Sequence, residues 1–234
     1  MKPTPPSLLL AASCFALAAI APLGAEQLPT TAEEQKALTP DAVLAQLKEG
    51  NARYVAGKLT DPNVKPSIAA AAKGQFPKAV VLSCLDSRVP VEMVFDQGIG
   101  DLFVGRVAGN VENDDLLGSF EFATKLAGAK LVVVLGHDEC GAVKGACDQV
   151  EMGKLTGLLE KITPAVEAVE GFEKDQRNSK HKPFVDAVVK QNVVETVADL
   201  RKDSPILADL EKSGAIKIVG GVYSMASGTV EWLD

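Results

Sequence analysis

The chain has 234 residues, of which 47% are hydrophobic and 24% charged, enough to bury the core of one α/β domain. Its 24 basic and 31 acidic side chains give a net charge of −7 and a pI near 5.0, which excludes the electropositive footprint that holds nucleic-acid phosphates. Of its four cysteines, three lie beyond the N-terminal stretch described next, and with two of those placed for a metal and one left over the chain does not depend on disulfides.

Residues 1–25 differ from the rest. Lys2 is their only charge, and an apolar run from Leu8 to Ile20 leads into Pro22-Leu-Gly-Ala25. That pattern predicts a cleaved signal peptide, with a domain over 26–234 and a periplasmic or secreted location. A lipoprotein signal ending at Cys14 is the weaker alternative, because the apolar run continues past it, and the run falls short of the ~20 residues of a membrane span. Without the leader the chain carries 23 basic and 31 acidic residues, net −8, and three cysteines.

Residues 26–38 are polar and mixed and are expected to form a loose arm. Thr39-Pro40-Asp41 then supplies an N-cap, a first-turn proline and a first-turn acid for a helix to about Ala56, with a second helical stretch over Lys65–Lys73. The apolar run from Ala79 predicts the first strand. A short helical turn should follow Val89-Pro90, with a second strand over 101–107. A helix capped by Asn113-Asp-Asp115 should run to about Leu126. Leu131–Leu135 is apolar at every position, as a strand covered on both faces requires. Residues 141–171 read as broken helix, 173–182 as a charged surface loop, Phe184–Leu200 as an amphipathic helix, and Ser204-Pro205 as the start of a short one. Ala215–Gly220 reads as the fourth strand and Val222–Trp232 as a hairpin turning at Ser227-Gly228. Strands alternating with helices imply a mostly parallel sheet whose ligands gather at the carboxyl ends of the strands.

Chemistry concentrates at two such ends. The first strand closes in Cys84-Leu-Asp-Ser-Arg88 and the third in Gly136-His-Asp-Glu-Cys140. Cys84, His137 and Cys140 together make a candidate Cys₂His zinc site, one ion per chain, and three protein ligands leave a fourth position open for water, as catalytic zinc does. Asp86 and Arg88 are two apart, so in extended chain they project to one side; beside a metal, Asp86 accepts a proton-bearing partner or reaches the zinc, and Arg88 fixes its orientation. Arg106 and Asn110, in the glycine-bearing Gly105-Arg-Val-Ala-Gly-Asn110, are read as structural hydrogen bonders, His181 as a solvated loop side chain and Cys147 as a small apolar group.

These residues carry a resemblance. Cys84-Leu-Asp-Ser-Arg-Val-Pro90, Phe95-Asp-Gln-Gly-Ile-Gly-Asp-Leu-Phe103, Arg106-Val-Ala-Gly-Asn110 and Gly136-His-Asp-Glu-Cys-Gly-Ala-Val-Lys144 closely resemble the β-class carbonic anhydrases, and the similarity extends from Glu49-Gly-Asn-Ala-Arg-Tyr54 to Val230-Glu-Trp-Leu233. The resemblance implies a zinc lyase that reversibly hydrates carbon dioxide to bicarbonate and a proton through zinc-bound hydroxide, working as a homodimer or homotetramer. It implies a mixed α/β sheet of four parallel strands and one antiparallel edge strand, flanked by helices. It assigns Cys84, His137 and Cys140 as ligands and Asp86 and Arg88 as the dyad beside the metal. Gln75, nine residues before Cys84, matches the glutamine that helps orient substrate in plant-type members. The alternatives are a carbonyl sulfide or carbon disulfide hydrolase on the same fold, and a zinc-binding or redox protein without catalysis. No nucleic-acid partner is expected, and no membrane association after leader removal.

Overall fold

A computed structural model describes residues 28–61 and 63–233; the expected leader over 1–25, with Cys14, lies outside the described residues. The elements run α1 (Ala32–Ala37), α2 (Pro40–Val55), α3 (Val64–Ala71), β1 (Ala79–Ser83), α4 (Val91–Val94), β2 (Leu102–Arg106), α5 (Asp114–Glu121), β3 (Leu131–His137), α6 (Gly141–Cys147), α7 (Gly153–Leu159), α8 (Thr163–Ala168), α9 (Lys182–Asp203), α10 (Pro205–Lys212), β4 (Lys217–Tyr223) and β5 (Val230–Leu233). Among these described residues, no helix is long and apolar enough to cross a membrane.

The five strands form one sheet in the order β2-β1-β3-β4-β5. The first four are parallel and β5 is antiparallel to β4, the mixed sheet that the family resemblance implied. β1 and β3 are buried at every position because alternate side chains enter two different apolar layers. Val80, Leu82, Val132 and Val134 face α9 and its neighbours, while Val81, Val133 and Leu135 face Val43, Leu47 and Phe95. The chain leaves β1 towards β2 on one side and leaves β3 towards β4 on the other, so the direction of winding reverses between β1 and β3. A crevice at the carboxyl ends of strands opens at such a reversal. The register pairs Ser83 with Leu135, which places Cys84 and His137 at the mouth of that crevice.

Two expectations are corrected. Residues 26–38 are not a loose arm throughout: Thr31 and Glu34 form a reciprocal capping box that starts α1, Thr30 bonds Asp101 through its amide and hydroxyl, and Gln35 donates to the carbonyls of Pro77 and Ala127. The fourth strand does not stop at Gly220, although the hairpin expected over 222–232 is present. β4 continues to Tyr223 and is itself the first arm of the β4–β5 pair. Gly220 and Gly221 are close-approach positions rather than breaks: a Cβ at Gly220 would stand 2.7 Å from Val193 Cγ1, and one at Gly221 2.9 Å from Val230 Cγ1. The turn falls where the sequence puts it, at Gly228 with φ +74°, whose amide donates to the carbonyl of Ser224.

Candidate active site

Cys84 follows the last residue of β1, His137 ends β3, and Cys140 is the N-cap of α6. All three are buried, and their ligand atoms lie within 4.8 Å of one another, the one such group among the described residues. The two Sγ atoms are 3.9 Å apart. That is far beyond a disulfide bond, but two sulfurs on a tetrahedral zinc, each at ~2.3 Å, stand about 3.8 Å apart. His137 Nδ1 lies 2.7 Å from the carbonyl oxygen of Asp138, which can only accept, so Nδ1 carries the proton. Nε2 is left with its lone pair and, among the described residues, no hydrogen-bond partner. A buried imidazole nitrogen oriented in this way is a metal donor whose tautomer is set from behind.

The surroundings suit two thiolates. The amides of Gly109 (3.3 Å) and Asp86 donate to Cys84 Sγ, and those of Ala142 and Val143, at the start of α6, donate to Cys140. Without a metal the sulfurs share one proton. The hydrogen bond from Cys140 holds Cys84 low, aided by His137 and the two amides and opposed by burial, while the same bond and burial push Cys140 up. Burial opposes an imidazolium at His137, but the Cys84 sulfur and the Asp138 carbonyl outweigh it and raise its pKa. A divalent cation would relieve this crowding of negative charge, so the donor set fits a thiophilic metal such as zinc.

Asp86 lies beside the cluster, its Oδ2 3.9 Å from His137 Nε2. Arg88 forks onto it, Nε to Oδ1 at 2.9 Å and Nη2 to Oδ2 at 2.7 Å, and the Arg88 amide adds a third bond to Oδ1. That fork holds the Asp86 carboxyl down to about 2, against the opposing effect of burial, so Asp86 is an ionised acceptor at neutral pH. Arg106, at the end of β2, clasps the same loop from beneath: Nε donates to the Cys84 carbonyl at 3.0 Å, and Nη2 to the carbonyls of Asp86 (2.6 Å) and Val89 (2.9 Å). The turn between the other two ligands puts Glu139 at φ +56°. Glu139 pairs with Lys144, and Lys182 stands 3.9 Å away, a charged rim outside the buried donors.

Gln75 is not brought to this site within its own chain. It is exposed and precedes β1, whereas Cys84 follows the other end; the five-residue rise between Ala79 and Cys84 alone is roughly 16 Å. Sequence reasoning left Gly109 and Asn192 without roles. Gly109 sat in a segment already read as permitting close backbone approach, and Asn192 is a lone amide among Val188, Val189 and Val193, a polar residue at a core position of α9.

Known proteins agree with this geometry. The carbonic anhydrase family profile matches residues 79–230. A carbonic anhydrase of Mycolicibacterium smegmatis is 39% identical over 198 residues, 82% of this chain and 92% of the relative, and carbonic anhydrase 2 of Mycobacterium tuberculosis is 39% identical over 195 residues, 81% and 90% of the two chains. The chain belongs to the β-carbonic anhydrases. Solved members share its fold: the β-carbonic anhydrase CafA of Aspergillus fumigatus superposes with a TM-score of 0.62 at 25% identity, covering 83% of this chain and 90% of that one. Tetrameric β-carbonic anhydrases of Sordaria macrospora superpose with a TM-score of 0.62 at 21% identity, covering 82% and 97%. As a β-carbonic anhydrase the chain is an enzyme, and the cluster at the β1–β3 crevice is the part of it equipped for chemistry.

Proposed function

We propose that the chain catalyses the reversible, zinc-dependent hydration of carbon dioxide to bicarbonate and a proton, with Cys84, His137 and Cys140 as the zinc ligands. The observation that carries this reading is the pair of buried sulfurs 3.9 Å apart facing an imidazole nitrogen with a free lone pair. Zinc held there lowers the pKa of water from 15.7 towards about 7 and so supplies a nucleophile near neutral pH. The chain's own groups do the rest. Asp86, ionised and held on both oxygens by Arg88, accepts a hydrogen bond from the attacking oxygen and aims it. The buried walls keep competing water out, and the charged rim of Arg88, Glu139, Lys144 and Lys182 lies between the donors and solvent for the departing bicarbonate and proton. The presence of the Asp86–Arg88 dyad favours catalysis over metal storage, which needs neither residue.

Gln75 as a substrate-orienting residue requires a second copy of the chain, because its own site lies at the other end of β1. A homodimer or dimer of dimers supplies that copy. β2 is an edge strand with half-exposed side chains; Phe122, which packs on Phe103 of β2, and Leu126 one turn further on are 49% and 76% exposed, an apolar margin suited to association. The leader-like N-terminal stretch assigns the enzyme to the periplasm or exterior; N-terminal sequencing of the protein recovered from an exporting host tests this, and an uncleaved cytosolic chain would overturn it.

The test of the activity is stopped-flow carbon dioxide hydration by the purified protein with its zinc content measured. About one zinc per chain and hydration abolished by a chelator are expected. Metal-free protein with undiminished turnover, or turnover only on carbonyl sulfide or carbon disulfide, would defeat the proposal. Cys84→Ser and His137→Ala should each lose zinc, and full occupancy in either would remove the ligand assignment.

A further inference from the structure

We propose that Asn192 is a positioning residue of the metal site, holding the Gly109 amide against the Cys84 sulfur from helix α9; the inference rests on the zinc reading above. The path has two bonds. Asn192 Nδ2 donates to the Gly109 carbonyl at 2.8 Å, and the Gly109 amide donates to Cys84 Sγ at 3.3 Å.

The Gly109 carbonyl and the Gly109 amide belong to successive peptide planes joined at a Cα with φ +72°. The plane beyond Gly109 is held on both edges, its carbonyl by Asn192 and its N–H, that of Asn110, by the Val107 carbonyl at 3.0 Å. With that plane fixed, rotation about Gly109 is stopped and its amide stays aimed at the sulfur. Glycine is required here for two reasons. The left-handed conformation disfavours a side chain, and a Cβ would stand 2.5 Å from Ile162 Cδ1 and 3.3 Å from Ala142 Cβ.

Asn192 is 3% exposed and sits among Val188, Val189 and Val193, where an apolar residue would pack without the desolvation cost of an amide. Its amide reaches 83 residues back along the chain for a hydrogen-bond partner. An N–H···S bond draws charge from a thiolate, lowering its lone-pair energy and moderating its donation to a bound metal. Removing the bond should therefore move the sulfur's charge-transfer transition to lower energy, and, by releasing the Cys84 sulfur from the position in which the Gly109 amide holds it, should also loosen the metal. A merely structural amide would do neither.

The experiment replaces zinc by cobalt(II) in the full chain and compares the parent with Asn192→Asp, which keeps the shape but presents only acceptors to the carbonyl, and with Asn192→Leu. Val189→Ala, a cavity on the same face of α9, is the control for lost packing. The expected result is a red-shifted thiolate-to-cobalt band and metal affinity weaker by about tenfold or more in both Asn192 variants, with the band unmoved in Val189→Ala. An unmoved band in the Asn192 variants, or an equal shift in the control, would overturn the proposal. If neither Asn192 variant folds, cadmium-113 substitution of the parent decides: magnetisation transfer between the Gly109 amide proton and the metal nucleus supports the path, and its absence overturns it. A parent with no thiolate-to-cobalt band at all would instead remove the zinc reading, and this inference with it.

Discussion

Arg106 points its Nε and Nη2 at main-chain carbonyls, those of Cys84, Asp86 and Val89. One side chain thereby sets the course of the loop that carries a ligand and the acidic dyad. Hydrogen bonds from a charged group contribute about 1.5–3 kcal/mol each when buried, less for a residue as exposed as this one. Arg106→Leu should therefore cost about 2 kcal/mol in urea denaturation and lower zinc affinity, and Arg106→Lys, which lacks the fork, should recover only part of either. Asp86→Ala should behave differently. Its ligands are untouched, so zinc content stays near one per chain, while stopped-flow hydration falls by about 10²-fold or more, the scale of a misoriented reacting group. Wild-type turnover in that variant would refute the aiming role. Cys147 is as buried as Cys84, but its thiol is pushed up to about 11, chiefly by burial, whereas that of Cys84 is held low, so in metal-free protein alkylating reagents should modify Cys147 more slowly than Cys84.

Helix α9 meets the sheet through a ridge and two gaps. Val193 fits against Gly136 of β3 and Gly220 of β4, where added Cβ atoms would stand 2.5 and 2.7 Å from its two methyls. Gly220→Ala should destabilise by about 1–3 kcal/mol, the usual cost of overpacking, and Val193→Ala in the same chain should restore part of it. The free edge of β4 below β5 is covered by side chains: Glu211 accepts the Ile218 amide at 3.0 Å and Arg201 donates to the Ile218 carbonyl at 3.0 Å, the two being joined at 2.7 Å. Burial works against a charged Glu211, but Arg201 and the amide outweigh it, so its pKa lies below the ordinary 4.5. A depressed carboxyl stabilises the fold above its unfolded value, and that contribution is lost as pH falls through the folded value. Glu211→Gln should thus be less stable than the parent at pH 7, by up to about 1 kcal/mol after solvent screening, and urea midpoints should converge below pH 4.5. Strands β1 and β3 and both half-sites were readable because an all-apolar run ending in Cys84 or His137 has one simple interpretation. The end of β4 was not, since Gly220-Gly221 reads as a break until Val193 is known to need the space. The helix at Ala32–Ala37 was missed although Thr31 and Glu34 have capping-box spacing, because only its contacts with Asp101, Pro77 and Ala127 hold so short a helix in place.

Over the whole molecule, the proposed substrate-orienting role of Gln75, which lies away from its own Cys84, ties activity to assembly. Leu126→Glu, placed on the apolar margin beside β2, should shift the protein towards monomer in sedimentation velocity, and hydration should fall with it to the level of Gln75→Ala. A fully active monomer would dissociate Gln75 from catalysis. The register of β1 against β3 has a thermodynamic corollary. Cys84 and His137 are 53 positions apart in sequence and become neighbours only when two parallel strands pair, so the unfolded chain offers no comparable site. Metal that binds only the folded form adds to its stability by mass action. The melting temperature should accordingly rise with free zinc concentration and drop on chelation, making zinc supply a determinant of how much folded enzyme persists.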